Sequence, residues 1–373
     1  MTLNTPHRRT LARALLAVGG LALGLVLAEA LARAVPPPVG GDFLLPIASL
    51  GVPEGLYRPH PWLRSEPTPD FEGVVRSVGH EVNVRINSLG CRGAEPAGDG
   101  ARLMVVGDSF TIALQVQEDE TFSARLSKLL GDEVLNCGVD GYSTWQALER
   151  YRLVDNEAQA EGVILVFFLG NDLSDNARAA AQQGSQTPPP PPPEAQHVGA
   201  VERWLITHSY LYGYGRLAMA RAALRTTNAE ERQRLADELG IFASSGGDRL
   251  QSAIEETRHA VRALRDEAQQ RGDTLMVAVA PPVFAVDDDR TAPTLALVGL
   301  EGVDPDAPRR AMLELLREEA VPACDLSPPL RAAAIDGEHP YLLLDGHWSV
   351  SGHAVVAQEL ANCLANTESV EPG

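Results

Sequence analysis

Ser109 is the residue of this chain best placed to do covalent chemistry. It follows an apolar run, residues 103–106, after Gly107 and Asp108. Such a run predicts a strand buried on both faces, and the residues after it emerge at the carboxyl edge of a parallel sheet, where open α/β folds bind their ligands. A helical pattern begins at Thr121. Ser109 is therefore predicted to lie in a strand-to-helix turn, with backbone N–H groups facing negative charge.

A serine hydroxyl needs a neighbouring base to become a nucleophile, because free serine is almost fully protonated at neutral pH. The C-terminal part of the chain offers two pairs, Asp345 with His347 and Asp336 with His339. Residues two apart in an extended chain project the same way, so Asp345 can reach the imidazole of His347 and hold one tautomer. A nucleophile, a base and a group that orients the base are the side chains that ester cleavage needs.

Five apolar segments are predicted to be the strands that position these side chains. The first three are separated by helical stretches, which is the rhythm of a doubly wound parallel sheet. The fifth is short and is weakened by Pro322. A helix from Arg249 to Arg271 precedes the fourth strand. The segments are residues 103–106, a run beginning at residue 134, and residues 163–169, 275–280 and 320–324.

Four polar blocks at the ends of these segments and near the C-terminus, taken in order, resemble the SGNH hydrolases, also called the GDSL esterase/lipase superfamily. The resemblance covers roughly residues 100 to 365. It implies a three-layer α/β/α sandwich with a mostly parallel, five-stranded, flavodoxin-like sheet, and a serine ester hydrolase. The blocks are Gly107-Asp108-Ser109-Phe110, Asn136-Cys137-Gly138-Val139-Asp140-Gly141, Gly170-Asn171-Asp172 and Asp345-Gly346-His347-Trp348.

The resemblance assigns the catalytic roles residue by residue. Ser109 corresponds to the nucleophile, His347 to the base and Asp345 to the residue that orients the base. His347 is preferred over His339 because the family places a glycine five residues after its histidine, and Gly352 stands there. The spacing before His339 nevertheless matches the family's commonest pattern. The shorter spacing at His347 resembles relatives that handle acetylated polysaccharides.

The resemblance also implies three hydrogen-bond donors for the oxyanion. They are the backbone N–H groups of Ser109 and Gly141 and the side-chain amide of Asn171. Gly141 is favoured over Gly138 because it lies five residues after Asn136, as in the family block. Simple turns at the two glycines and a helix cap at Asn171 are the structural alternatives.

The remaining composition excludes several classes of function. The net charge of −19 argues against nucleic acid as a partner. Neither a metal-ligand spacing nor a dinucleotide-binding loop is present, so no metal and no cofactor are expected. Asp108 and Asp172 are predicted to hydrogen-bond within their loops, and His353 to pack or cap within the last helix.

Four cysteines permit two disulfides in an oxidising compartment. Cys91 precedes the first core strand and Cys137 follows the second, so we predict a bridge between them. Cys324 and Cys363 could pair in the same way, with simple burial of Cys363 as the alternative.

The N-terminal residues 1–35 form a predicted membrane anchor or signal segment. Three arginines precede an uncharged stretch from Ala14 to Ala28. We favour a retained anchor over a cleaved signal peptide because residues 27–33 make a poor signal-peptide tail. In either case the rest of the chain faces the periplasm or the cell exterior, anchored in the first case and secreted in the second.

Residues 36–100 are predicted to be an extended arm that packs on a hydrolase domain, residues 101–373. That domain carries an insertion at about 177–245 with six prolines, residues 188–193. A helix over residues 201–224 in the insertion carries Trp204 and three tyrosines. Packing on the core is the favoured interpretation of these aromatics, and a carbohydrate platform is the alternative.

Together these features predict an exported serine esterase that removes short acyl groups, acetyl above all, from a carbohydrate or cell-envelope glycan. An O-acyltransferase that moves acetyl groups onto a glycan shares the first half-reaction and remains open. A non-catalytic binding or assembly module is disfavoured, because no catalytic position in the four blocks is lost. The expected partners are an acylated glycan or small ester, and the membrane through the N-terminal segment.

Overall fold

The computed structural model describes most of the chain. The described residues are 5–34, 52–63, 65–77, 80–97, 103–182, 199–226, 239–243, 247–287, 302–342 and 345–368. The predicted polyproline segment, residues 188–193, and the predicted start of the hydrolase domain at Ala101 lie outside them.

A long helix, α1 (Thr5–Ala34), opens the chain. Within the described residues, its part Thr10–Ala34 is the one helix long and apolar enough to cross a membrane, with a mean hydropathy of 2.2 and no buried residue in its most apolar window. An apolar helix of this kind is consistent with a membrane anchor and with a signal peptide. The choice between the two stays a prediction.

Two antiparallel hairpins follow in the arm. The first pairs β1 (Tyr57–Pro59) with β2 (Ser65–Pro67), and the second pairs β3 (Glu72–Ser77) with β4 (His80–Arg85). Val75, Val82 and Val84 of the second hairpin are buried in one cluster with Ile112 and Leu114. The arm thereby covers the segment that follows Ser109.

The main sheet has five parallel strands. They are β5 (Leu103–Gly107), β6 (Val134–Asn136), β7 (Gly162–Phe168), β8 (Thr274–Ala280) and β9 (Ala323–Asp325). Their spatial order is β6-β5-β7-β8-β9, and every neighbouring pair is parallel. The predicted flavodoxin-like sheet is confirmed. The strand order reverses between β5 and β7, and that switch point is where such sheets bind ligands.

Helices cover both faces of the sheet because successive side chains of its strands point to opposite sides. Along β7, Val163, Leu165 and Phe167 belong to the core with α4 (Thr144–Ala158), α8 (Gly247–Arg271) and α9 (Ala307–Glu318). Ile164 and Val166 belong to the other core, with α3 (Phe122–Leu130), α10 (Ser327–Ile335) and α11 (Val350–Glu368). The predicted three-layer sandwich is confirmed. The remaining helices of the described residues are α2 (Ser109–Ile112), α5 (Asp172–Gln182), α6 (Ala200–His208) and α7 (Tyr210–Thr226).

Both disulfides considered from the sequence are present. Cys91 and Cys137 are joined with their Cα atoms 4.3 Å apart, and Cys324 and Cys363 with theirs 5.8 Å apart. The first ties the arm to the end of β6, and the second ties β9 to α11.

The prediction of a single helix over residues 201–224 is wrong. The structure has two helices, α6 and α7, because Ser209 between them is extended, and its hydroxyl is bound by Glu29 of α1. The packing interpretation also fails for Trp204, which is 59% exposed and stacks on His208. Glu29 lies 180 residues before Ser209, so this contact could not be predicted from the local helical periodicity.

Candidate active site

Ser109 lies where β5 ends, as the first residue of the short helix α2. Gly107 before it has a φ of +148°, and a Cβ there would lie 2.6 Å from the Val166 carbonyl oxygen. Only glycine therefore lets the chain turn this close to β7. Asp108 caps the turn, since its carboxylate accepts the Phe110 N–H at 2.9 Å. The first N–H groups of a helix have no partner within it, which leaves that of Ser109 for a ligand.

Ser109, His347 and Asp345 form one chain of hydrogen bonds. His347 Nε2 lies 2.8 Å from Ser109 Oγ. His347 Nδ1 contacts the Asp345 carboxylate, which also accepts the backbone N–H of His347 at 3.3 Å. With the Nδ1 proton donated to the carboxylate, Nε2 is free to accept the proton of the serine hydroxyl.

The charges around His347 make it a stronger base. Burial disfavours the imidazolium, but the carboxylates of Asp345, Asp108 and Asp140 favour it more, so the pKa of His347 is raised above its ordinary value. The side chains of His347 and Asp345 are 23% and 13% exposed. Solvent and a substrate can therefore reach the pair from one side.

Aromatic rings fix the plane of the imidazole. The Phe110 ring centroid lies 4.7 Å from that of His347 and 3.9 Å from that of Phe168. Trp348, fully buried beside His347, meets Phe110 edge-on at 5.0 Å. Packed rings of this kind restrict the rotation of the histidine side chain.

The two glycines of the second block, Gly138 and Gly141, have different surroundings in the structure. A Cβ on Gly138 would lie 2.5 Å from the Ile112 nitrogen, so Gly138 allows close packing of its loop on α2. Gly141 is exposed with a φ of +70°. Among the described residues no acceptor contacts its N–H. Its backbone is thus open to a ligand, and its role as an oxyanion donor stays a proposal.

Asn171 stands at the N-terminus of α5, where its carbonyl accepts the Asp175 N–H at 2.8 Å. Its side-chain amide donates to the Asp175 carboxylate at 2.6 Å. One of the two amide hydrogens is therefore already used, and one remains for an oxyanion. Asn171 is therefore the N-cap residue of α5, and its role as an oxyanion donor stays a proposal.

Asp108 and Asp172 hydrogen-bond within their loops, as predicted. Asp172 accepts the Phe168 N–H at 2.8 Å. Burial raises the pKa of Asp108 to about 7 and that of Asp172 well above its ordinary value. Two buried carboxyls this close to one another do not both ionise easily.

The two other histidines near the C-terminal block lie outside this chain of hydrogen bonds. His353 is buried, and its Nδ1 accepts the Phe122 N–H at 3.2 Å. Its ring packs against Phe122 and Trp348, which agrees with the packing alternative, while the helix that it caps is α3 and not its own. Burial lowers the pKa of His353 to about 3, so it stays neutral. The backbone carbonyl of His339 accepts hydrogen bonds from the Ser349 and Ser351 hydroxyls.

Two residues of the arm contact the site although no motif indicated them. Arg92 is buried and donates to the carbonyl oxygens of Ile112 and Val116 beyond Ser109, at 2.7 and 2.5 Å. Burial lowers its pKa to about 10, which leaves it charged at neutral pH. The Tyr57 hydroxyl donates to the Asp140 carboxylate at 2.9 Å. The predicted disulfide at the residue before Arg92 was the one signal that could have placed it here.

Within the described residues, one group of side chains is close enough to hold a metal ion: Cys324, Glu359 and Cys363. The two cysteines form a disulfide, so their sulfur atoms are not free thiolate ligands.

The C-terminal part of the chain matches a known protein family. Residues 242–372 match the family described as SGNH hydrolase-like domain, acetyltransferase AlgX. The resemblance to the SGNH hydrolases is thereby confirmed. The match includes Asp345 and His347 and leaves out Ser109. No curated protein matches the chain.

Solved structures similar to this chain include two hydrolases. LAE5, an alpha/beta hydrolase enzyme from the metagenome of Lake Arreo in Spain, is 12% identical over 71% of this chain and 95% of its own, with a TM-score of 0.39. A catalytic variant of an acetylxylan esterase from Geobacillus stearothermophilus is 13% identical over 72% and 95%, with a TM-score of 0.38. Residues 242–372 are thus similar to an SGNH hydrolase-like domain of a family described by acetyl transfer.

Proposed function

We propose that this SGNH-type chain removes a short acyl group, acetyl above all, from a carbohydrate or cell-envelope glycan through an acyl-enzyme. The observation that carries the proposal is the contact of Ser109 Oγ with His347 Nε2 at 2.8 Å, with Asp345 behind the imidazole. This is the geometry that activates a serine hydroxyl.

In the first half-reaction Ser109 Oγ attacks the ester carbonyl while its proton passes to His347 Nε2. The oxyanion that forms lies near the N-terminus of α2. The N–H groups of Ser109 and Gly141 and the free amide hydrogen of Asn171 are its donors. Each such donor contributes about 3 kcal/mol of transition-state stabilisation. The imidazolium then gives its proton to the leaving sugar oxygen, and the acyl group remains on Ser109.

In the second half-reaction an incoming hydroxyl attacks the acyl-enzyme, with His347 again as the base. Water as the acceptor completes hydrolysis, and a sugar hydroxyl completes acyl transfer. Transfer is the second candidate function, because the matching family is described as an acetyltransferase. The two reactions use the same residues and differ only in the acceptor.

Four observations support a short acyl group on an exported, neutral glycan. The apolar helix α1 is suited to export and to anchoring. The matching family is described by acetyl transfer. The first part of the insertion, residues 183–198, is polar and proline-rich in sequence, unlike the apolar lid that a fatty chain requires. The net charge of −19 favours a neutral glycan over a strongly anionic one.

Turnover of 4-nitrophenyl esters by the full-length chain in detergent tests this proposal. We expect acetate to react faster than octanoate, and Ser109→Ala to abolish turnover. A rate that rises when neutral oligosaccharides are added, with acetylated oligosaccharide as product, would establish transfer. Rates that rise with acyl length would contradict the short-acyl proposal. No turnover at all with these esters or with acetylated oligosaccharides would favour a non-catalytic module.

A further inference from the structure

The C-terminal end of α1 is bound to the junction between α6 and α7. The Glu29 carboxylate accepts the Ser209 hydroxyl at 2.8 Å, the Tyr210 N–H at 2.9 Å and the Leu211 N–H at 3.1 Å. The N–H groups of Tyr210 and Leu211 are the first donors of α7, which have no partner within the helix. One acidic side chain of the apolar helix thus holds the start of α7.

Arg33 strengthens the same contact. It pairs with Glu29 at 2.9 Å and donates to the His208 carbonyl, the last residue of α6, at 2.6 Å. Its guanidinium also lies over the Tyr210 ring, 5.0 Å from the centroid. Both helices of the insertion are therefore fixed to the end of α1.

The length of α1 sets the level of this junction relative to a bilayer. At 1.5 Å per residue, the stretch from Arg13 to Glu29 is about 24 Å long. The hydrocarbon core of a bilayer is about 30 Å thick. A spanning α1 therefore places Glu29 at or just inside the edge of the hydrocarbon. Its bonds to Arg33 and to α7 satisfy the charge there, and they bring the α6–α7 junction to the same level.

Both helices at this junction expose large apolar side chains. Val201 and Trp204 on α6 are 74% and 59% exposed, and Leu211 and Met219 on α7 are 38% and 65% exposed. Outside α1, the other large exposed apolar side chains of the described chain come one from each of several separate segments. Apolar and aromatic side chains gathered at a bilayer edge lie in the interfacial region.

We propose that α6 and α7, residues 200–226, lie on the bilayer surface and contact lipid with Trp204 and its apolar neighbours. This proposal rests on the prediction that α1 is a retained membrane anchor, and not on the proposed acyl chemistry. The part of the bilayer that these side chains contact is the boundary between lipid headgroups and acyl chains. Two attachments, α1 and the helix pair, then hold the catalytic domain in one orientation close to the membrane.

Quenching of tryptophan fluorescence by brominated phosphatidylcholine tests the proposal on the full-length chain in vesicles. The chain has four tryptophans. Trp145 is largely buried and Trp348 fully so, while Trp62 is 82% exposed on the arm. We expect the bromine-dependent quenching to be lost in Trp204→Phe and kept in Trp62→Phe, the matched control. Glu29→Ala should also reduce the quenching, because it frees the junction from α1.

Flotation of the same vesicles separates this proposal from the anchor itself. A chain that floats with the vesicles and keeps its quenching in Trp204→Phe would overturn the lipid contact and leave the anchor standing. A chain that does not float would overturn the anchor and the contact together. Flotation combined with quenching that depends on Trp204 supports both.

Discussion

The substitution Asp345→Asn keeps His347 as the base and changes only the group that orients it. The Asp345 carboxylate holds the Nδ1 proton of His347 and leaves Nε2 free, 2.8 Å from Ser109 Oγ. The asparagine amide has nearly the same shape but offers an N–H₂ to Nδ1. The imidazole then carries its proton on Nε2 and cannot accept one from Ser109. Loss of the correct tautomer costs about 10⁴-fold in kcat, or about 5.5 kcal/mol.

The same substitution should move the pH profile. Burial lowers the pKa of His347, while Asp345 is the first of the carboxylates that raise it. Removing that charge lowers the pKa, so the acid limb of kcat/KM should shift to lower pH. Hydrolysis of 4-nitrophenyl acetate over a range of pH measures both effects. Asp336→Asn, at the exposed pair with His339, is the control and should change neither. A loss below tenfold, or an unmoved acid limb, would refute the assigned role of Asp345.

Three further predictions follow from the contacts of single residues. His347→Ala should reduce ester turnover by several orders of magnitude and His339→Ala by little, and equal losses would contradict the assignment. Replacing Cys91 and Cys137 together by serine should lower the free energy of unfolding by about 2–5 kcal/mol, measured by urea titration, and an unchanged midpoint would argue against the bridge. His353 has a pKa of about 3 in the folded chain, so the unfolded chain binds its proton more readily and stability falls as the pH drops below about 6.5. His353→Gln keeps an acceptor for the start of α3 and should make that fall shallower, and an unchanged slope would contradict the buried, neutral state.

The sheet could be predicted from the sequence because its strands are buried on both faces. Residues 163–169 are all apolar, as expected of a strand buried on both faces. The structure places β7 at the centre of the sheet. The short edge strand β9 is harder to predict, since Pro322 interrupts the run before Ala323. Burial of both faces leaves a strong composition signal, whereas edge strands leave a weak one.

The residues of the candidate site could be predicted from the sequence for a different reason. Its side chains follow directly on strands or precede a helix, so topology alone brings Ser109, Asn171 and His347 to one edge. The choice between His347 and His339 needed the glycine offset of the family, because both histidines have an aspartate nearby. The structure places only His347 against Ser109.

Contacts that cross long stretches of chain could not be predicted. Arg92 of the arm supports the carbonyls after α2, and Glu29 of α1 breaks the insertion helix at Ser209. Neither contact has a period, a spacing or a local composition that would mark it. The pairing of the Asn171 amide with Asp175 is local, but its geometry depends on how α5 begins.

Covalent labelling by a fluorophosphonate, mapped by mass spectrometry on the full-length chain, tests the central claim most directly. The reagent reacts only with a serine that a base has activated. We expect one adduct, on Ser109, with labelling strongly reduced in His347→Ala and unchanged in His339→Ala. An adduct on another serine, or labelling of Ser109 that does not depend on His347, would contradict the account.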